Sequence, residues 1–204
     1  MSKRRVVITG LGIISPIGNA VSDAWSNILA GKSGVTRISR FDSSAFTSQI
    51  AGEVKGFDIT NYLTAKDARR MDVFIHYGMA AGIQAVKDAG IEDTAASGLD
   101  PERIGVNIAS GIGGLPMIEG THDAYHAGGS RKISPFFIPS TIINMIAGNL
   151  SIMYGFRGPN LAIVTACTTA THCVGDSARL IEYGDVDVMV AGGAESCVTP
   201  LAIG

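Results

Sequence analysis

Short β-branched, apolar runs recur along this chain with helix-period segments between them. No other feature limits the possible folds as strongly. Arg5 to Thr9, Ile104 to Ala109, Leu161 to Ala166 and Val186 to Ala191 each read as a strand. Apolar runs without polar alternation predict strands buried on both faces. Strands alternating with helices place the chain in the α/β class, with a mainly parallel sheet covered on both sides. At 204 residues the chain is long enough for one sizeable core. Hydrophobic residues at 46% against charged residues at 17% exclude a disordered chain and a coiled coil. Lys+Arg 16 against Asp+Glu 18 gives a net charge of -2. No global basic field therefore favours nucleic acid or an anionic membrane.

The punctuation between these runs predicts the remaining elements. Gly10 to Asn19 is a glycine- and proline-interrupted loop. Ser22 is placed to cap a helix whose apolar face holds Trp25, Ile28 and Leu29, with Gly31 ending it. Thr64 opens a second helix with Asp67 in the capping-box position. Met71, Phe74, Ile75, Gly78, Met79, Gly82 and Val86 continue it at helical spacing to Gly90. Gly78 and Gly82 weaken such a helix, so a close neighbour is expected on that face. Residues 115–135 read as irregular or partly helical, and Ile138 to Tyr154 as an apolar helix. From Thr168 the period is helical again, with Ala170, Cys173, Val174, Ala178 and Ile181 on one face and Gly184 at the end. The opening Lys3, Arg4 and Arg5 before an apolar run mimics a signal peptide, but Gly10, Gly12 and Pro16 interrupt that run. No uninterrupted apolar segment is long enough to span a bilayer.

The strongest chemical constellation is Val164 to His172, where Cys167 sits at the junction of a buried strand and a helix. Strand carboxyl ends open onto the ligand crevice of α/β folds. First-turn N–H groups of a helix favour negative charge, which suits a cysteine nucleophile and an adjacent oxyanion. The residue type alone also allows a small buried core cysteine. Cys173 falls on the apolar helix face and reads as core; Cys197 has no such context. The three cysteines form no C-x-x-C and cannot all pair, so a reducing compartment is expected. Gly10 to Gly18 does not match the dinucleotide spacing, because Ser15 stands where the third glycine belongs; this argues against a nicotinamide oxidoreductase. His122 and His126 lie four apart without an acidic ligand pattern, and no metal site is expected. His172 lies more than a turn beyond Cys167, poorly placed to act as its base. Lys66, Arg69 and Arg70, with Arg131 and Lys132, form either a patch for an acidic partner or ordinary surface charge.

These residues carry a resemblance. The stretches Arg4–Gly18, Arg69–Asp72, Ser110–Gly114, Arg131–Thr141, Met153–Pro159, Thr165–His172 and Gly184–Glu195 are similar, in order, to the β-ketoacyl-acyl carrier protein synthases, and most to the synthase II subtype. The resemblance implies a thiolase-like layered αβαβα fold of two similar halves, with residues 1–204 matching the first half and stopping at Gly204. It implies that Cys167 accepts an acyl chain and that its own backbone N–H is half of an oxyanion hole. Ile112 resembles a gate to the acyl pocket, and Phe137 and Ile138 resemble pocket-lining residues. Lys66, Arg69, Arg70, Arg131 and Lys132 match positions that meet the acidic acyl carrier protein, whose phosphopantetheine brings the substrate; no cofactor of the enzyme's own is implied. The strand before Cys167 resembles one that pairs across a homodimer.

The implied reaction loads Cys167 with an acyl thioester and condenses it with decarboxylated malonyl-carrier protein, adding two carbons in fatty-acid elongation in the cytoplasm. The family's decarboxylation histidines lie in its second half, and His76, His122, His126 and His172 do not match their motifs. Half of such a fold is expected to expose the apolar face that packs on the other half and to self-associate. The alternatives are a polyketide-type ketosynthase and a non-catalytic carrier-protein-binding fragment. The Arg131–Thr141 stretch leans towards the fatty-acid reading, and the presence of Cys167 argues against a decoy subunit.

Overall fold

The computed structural model describes residues 4–204. In chain order the elements are α1 (Val21–Leu29), β1 (Val35–Arg37), β2 (Ile50–Gly52), α2 (Ala65–Ala68), α3 (Val73–Asp88), α4 (Thr94–Ser97) and β3 (Ile104–Ala109). There follow α5 (Leu115–Gly128), α6 (Phe137–Thr141), α7 (Met145–Tyr154), β4 (Asn160–Leu161), α8 (Thr169–Tyr183), β5 (Val188–Gly193) and α9 (Pro200–Ile203). The central sheet has the order β4-β3-β5, and both pairings are parallel. A separate antiparallel pair joins β1 to β2. The class expected from the alternation of strands and helices is therefore the one observed.

β3 is buried along its whole length, so the sheet is covered on both faces. Ile104, Val106 and Ile108 join Phe74, Ile75 and Met79 of α3 and Ile146 and Leu150 of α7 in one buried cluster. Strand side chains alternate, so Gly105, Asn107 and Ala109 face the other way. There the Asn107 side-chain amide donates to the Cys173 carbonyl of α8 at 3.2 Å. Each fully buried Ile, Leu or Phe in the cluster contributes about 1.5–3 kcal/mol. The neighbour predicted by the helical glycines is α7. A Cβ on Gly78 would sit 2.5 Å from Ile146 Cδ1, and one on Gly82 2.5 Å from Leu150 Cδ1.

Several expectations are corrected. The run Arg5 to Thr9 is not a strand among the described residues, and Ile8 is 79% exposed. Side chains rather than a sheet edge hold the segment that follows. The Leu11 N–H donates to Asp88 at 2.9 Å and the Ile13 N–H to Gln84 at 3.1 Å. Ala20, not Ser22, stands at the start of α1, and Trp25, Ile28 and Leu29 are exposed rather than buried.

The long helix from Thr64 to Gly90 is two helices. Thr64 caps α2 as expected, its hydroxyl accepting from the Asp67 N–H. The buried Asp72 then breaks the run. One of its carboxylate oxygens accepts from the Phe74 N–H at 3.1 Å to start α3, and the other accepts from Met117 N–H at 2.9 Å in α5. Aspartate competes for backbone donors, which favours a cap over a helix interior. Burial raises the Asp72 carboxyl above its ordinary value. The Ile138–Tyr154 helix is likewise divided into α6 and α7 by an extended Ile142. The Leu161–Ala166 strand shortens to β4, because the chain beyond Leu161 has no further ladder partner.

Candidate functional site

Parallel pairing brings the carboxyl ends of the sheet strands to one edge, and the segments leaving that edge build a cavity of about 450 Å³. Its walls come from the loop after β3 (Ser110, Gly111, Ile112), the turn before α8 (Ala166, Cys167) and the segment after β5 (Glu195, Cys197). Crevices of α/β sheets form at such strand ends.

Cys167 occupies a 3-10 turn, Ala166–Thr168, that leads directly into the 15-residue α8. The turn is tightened by Thr168, whose N–H and hydroxyl both donate to the Thr165 carbonyl, at 3.1 and 2.7 Å. Ala166 adopts φ 51°, in the left-handed region that side chains other than glycine avoid. Such a strained residue costs on the order of 1–3 kcal/mol and clusters at functional sites. Here it turns the chain sharply enough to leave Cys167 exposed. No side chain caps the start of α8, whose first residues, Thr169 and Ala170, also line the cavity.

The other two cysteines differ. Cys173 is buried in α8, and burial pushes its thiol up. Cys197 lines the cavity but holds its proton: burial, with the Glu195 carboxylate beside it, pushes the thiol up to about 12. Cys167 is thus the exposed thiol of the three. His172 points along α8 towards Asp176, 3.7 Å away, and does not line the cavity.

The chain's relatives accord with this arrangement. The family described as "Beta-ketoacyl synthase, N-terminal domain" matches residues 3–204. The chain belongs to the β-ketoacyl synthase family. All of it aligns at 59% identity with 48% of the 3-oxoacyl-[acyl-carrier-protein] synthase 2 of Vibrio cholerae. It aligns at 54% identity with 49% of the same-named protein of Coxiella burnetii. Among solved structures, all of the chain superposes on 54% of a chain from the complex of a type II PKS acyl-carrier protein with its ketosynthase bound to the hexaketide. The TM-score is 0.81 and the identity 29%. This β-ketoacyl synthase domain has the thiolase-like α/β fold of the solved ketosynthases, and it spans about half the length of the curated relatives it matches.

In this β-ketoacyl synthase domain the structure brings together two of the predicted site residues, Cys167 and Ile112. Phe137 and Ile138 lie on α6 and are not part of this wall; Ile138 is exposed. Lys66 on α2, with Arg69, Arg70, Arg131 and Lys132, is exposed, and none of the five forms an ion pair among the described residues. The Arg70 guanidinium lies 4.5 Å over the Phe136 ring, which ties the 66–70 group to the segment that follows Lys132. Among the described residues no three histidine, cysteine or acidic side chains converge as for a metal. No described helix is long and apolar enough to cross a membrane.

Residue-by-residue reading missed Glu195, Ser110 and Cys197 as parts of the site. The available signal was a carboxylate two residues after the glycine-ended run Val186 to Gly193, the same strand-end logic that singled out Cys167.

Proposed function

We propose that this domain is the acyl-loading half of a 3-oxoacyl-acyl carrier protein synthase of fatty-acid elongation. The supporting observation is the exposed Cys167 on a strained turn, at the amide end of α8 and in the wall of a cavity with Ile112. The Cys167 sulfur attacks the carbonyl of a carrier-bound acyl thioester. The tetrahedral oxyanion that results is stabilised by backbone amides of the turn, Cys167 N–H among them. Collapse expels the phosphopantetheine thiol, and the acyl group remains as a thioester on Cys167. Ile112 meets the acyl chain, with Phe137 and Ile138 as further pocket residues of the assembled protein. Lys66, Arg69, Arg70, Arg131 and Lys132 receive the acidic carrier protein through charge attraction. None of the four histidines lines the cavity, so decarboxylation and condensation belong to the longer enzyme. A reducing cytoplasm, with which free rather than bridged cysteines agree, and a homodimer complete the reading.

Relatives at 54–59% identity carry the synthase 2 name, which favours fatty-acid over polyketide elongation. Incubation with an acyl N-acetylcysteamine thioester tests the proposal. Intact mass is expected to rise by one acyl group, mapped to Cys167 and lost in Cys167→Ser. Acylation that persists in Cys167→Ser, or that maps to Cys173, overturns it.

A further inference from the structure

Glu195 is not explained by acyl loading, yet it carries more contacts to the site loop than any side chain described above. Its carboxylate reaches from the segment after β5 to the loop after β3. One oxygen accepts from the Ser110 hydroxyl at 2.8 Å and from the Gly113 N–H at 3.4 Å. The other accepts from the Ile112 N–H at 2.8 Å. The Ser110 hydroxyl oxygen in turn accepts from the Gly113 N–H at 3.2 Å, which closes the loop on itself. Beyond Gly113 the chain is tied elsewhere, the Gly114 N–H donating to the Thr141 carbonyl at 3.0 Å.

The loop Ser110 to Gly114 has three glycines, and Ile112 is its one bulky side chain. Glycine-rich backbone has many conformations to choose from and no side chains to hold it. Ile112 is 55% exposed, so packing does not anchor it, and it lines the cavity opened by Cys167. Its backbone is placed chiefly by the bond to Glu195. Hydrogen bonds to an ionised acceptor are stronger and more directional than neutral ones.

We infer that Glu195 is a positioning residue whose carboxylate latches the 110–113 loop and so sets where Ile112 stands in the cavity, making it a determinant of acyl-chain-length selectivity. The selectivity part rests on the acyl-loading proposal; the latch itself does not. A glutamine at 195 offers a single acceptor oxygen: turned to Ile112 N–H, it leaves the amide nitrogen to donate to the Ser110 hydroxyl and to face the Gly113 N–H, and turned to Ser110, it leaves the Ile112 N–H opposite a donor, so in either orientation one backbone N–H contact of the set is lost.

Two measurements on the 204-residue chain test the inference. Hydrogen exchange followed by mass spectrometry reads the latch directly. Peptides covering residues 110–114 are expected to exchange roughly threefold or more faster in Glu195→Gln, matching the loss of about one net hydrogen bond. Peptides from β3 should be unchanged. Acylation rates with butyryl and dodecanoyl N-acetylcysteamine thioesters read the selectivity. Their ratio is expected to shift by roughly threefold or more in Glu195→Gln. Cys167 alkylation by iodoacetamide, mapped by peptide mass, corrects both rates for any change in thiol reactivity that loss of the carboxylate brings. Ser110→Ala removes the same oxygen contact from the other side and should move both readouts in the same direction; it also serves if Glu195→Gln fails to fold. Unchanged exchange at 110–114 in a folded variant overturns the latch. Faster exchange with an unchanged rate ratio overturns the selectivity role. Absence of acylation in the unsubstituted chain instead overturns the acyl-loading proposal and the selectivity role with it, while the exchange result still decides the latch.

Discussion

The runs Ile104 to Ala109 and Arg5 to Thr9 are both short, β-branched and followed by glycine-rich loops, yet only the first is a strand. β3 has a parallel partner on each side and is buried along its whole length. The earlier run lies near β5, sharing an apolar groove with Val188 to Ala191, but makes no ladder with it, and Val7 and Ile8 are exposed. The Arg4 guanidinium donates to Asp187 at 2.6 Å, and Gly10 and Gly12 press against Ala85 and Ala81 of α3. The difference shows that β-branched composition makes a segment competent for a sheet. The free energy of burial comes only where a neighbouring strand completes a ladder and other elements cover its faces.

The comparison is sharpest at the centre of β3. Ile104→Ala removes a fully buried side chain from the main cluster and is expected to lower stability by about 3 kcal/mol, read as a reduced urea midpoint. The largest expected effect in the earlier region is smaller and comes from the backbone. A Cβ at residue 12 would run into the Ala81 carbonyl oxygen. Gly12→Ala is therefore expected to cost about 2 kcal/mol, seen as faster proteolysis around residues 4–14. Equal losses from the two substitutions would break the distinction.

A pH effect comes next. Hydrogen bonds and charge from Arg103 and then Arg4 hold the Asp187 carboxyl well below its ordinary value. The folded state therefore binds that proton more weakly than the unfolded chain. The stabilisation is complete above an unfolded pKa of about 4 and fades as pH falls from there towards the folded-state value. Because Asp187 is exposed, the effect is small. Tm should fall more between pH 6 and pH 3 in the unsubstituted chain than in Asp187→Asn. Ile8→Ser is expected to be the mildest, within about 0.5 kcal/mol by the same urea titration. A large loss there would mean that this run is buried after all.

The site was partly legible for the same reason as the fold. Cys167 follows an apolar run where the period turns helical, a boundary that is a local property of the chain, whereas Ile112 was assigned only through the family resemblance. Phe137 and Ile138 were assigned to a pocket by resemblance, and on α6 they stand away from the cavity in this chain. Glu195 was invisible as a latch because its partners are the backbone of a loop some 80 residues away, and nothing local to residue 195 names them. Asp72 was missed as a break for a similar reason. Its value lies in bonding Met117 on another helix, whereas helical spacing around it reads straight through.

Alternating apolar runs, helical periods and capping residues determined by themselves the α/β class, the helix ends at Gly90 and Gly184, and the seat of Cys167 just ahead of a helix. Those features depend on interactions a few residues long. Only the tertiary structure decided which β-branched runs pair, where the long helices break, and that Glu195 and Cys197 share a cavity with Cys167. Each of these depends on contacts between segments far apart in the chain, whose free energy exists only once the sheet has brought the segments together.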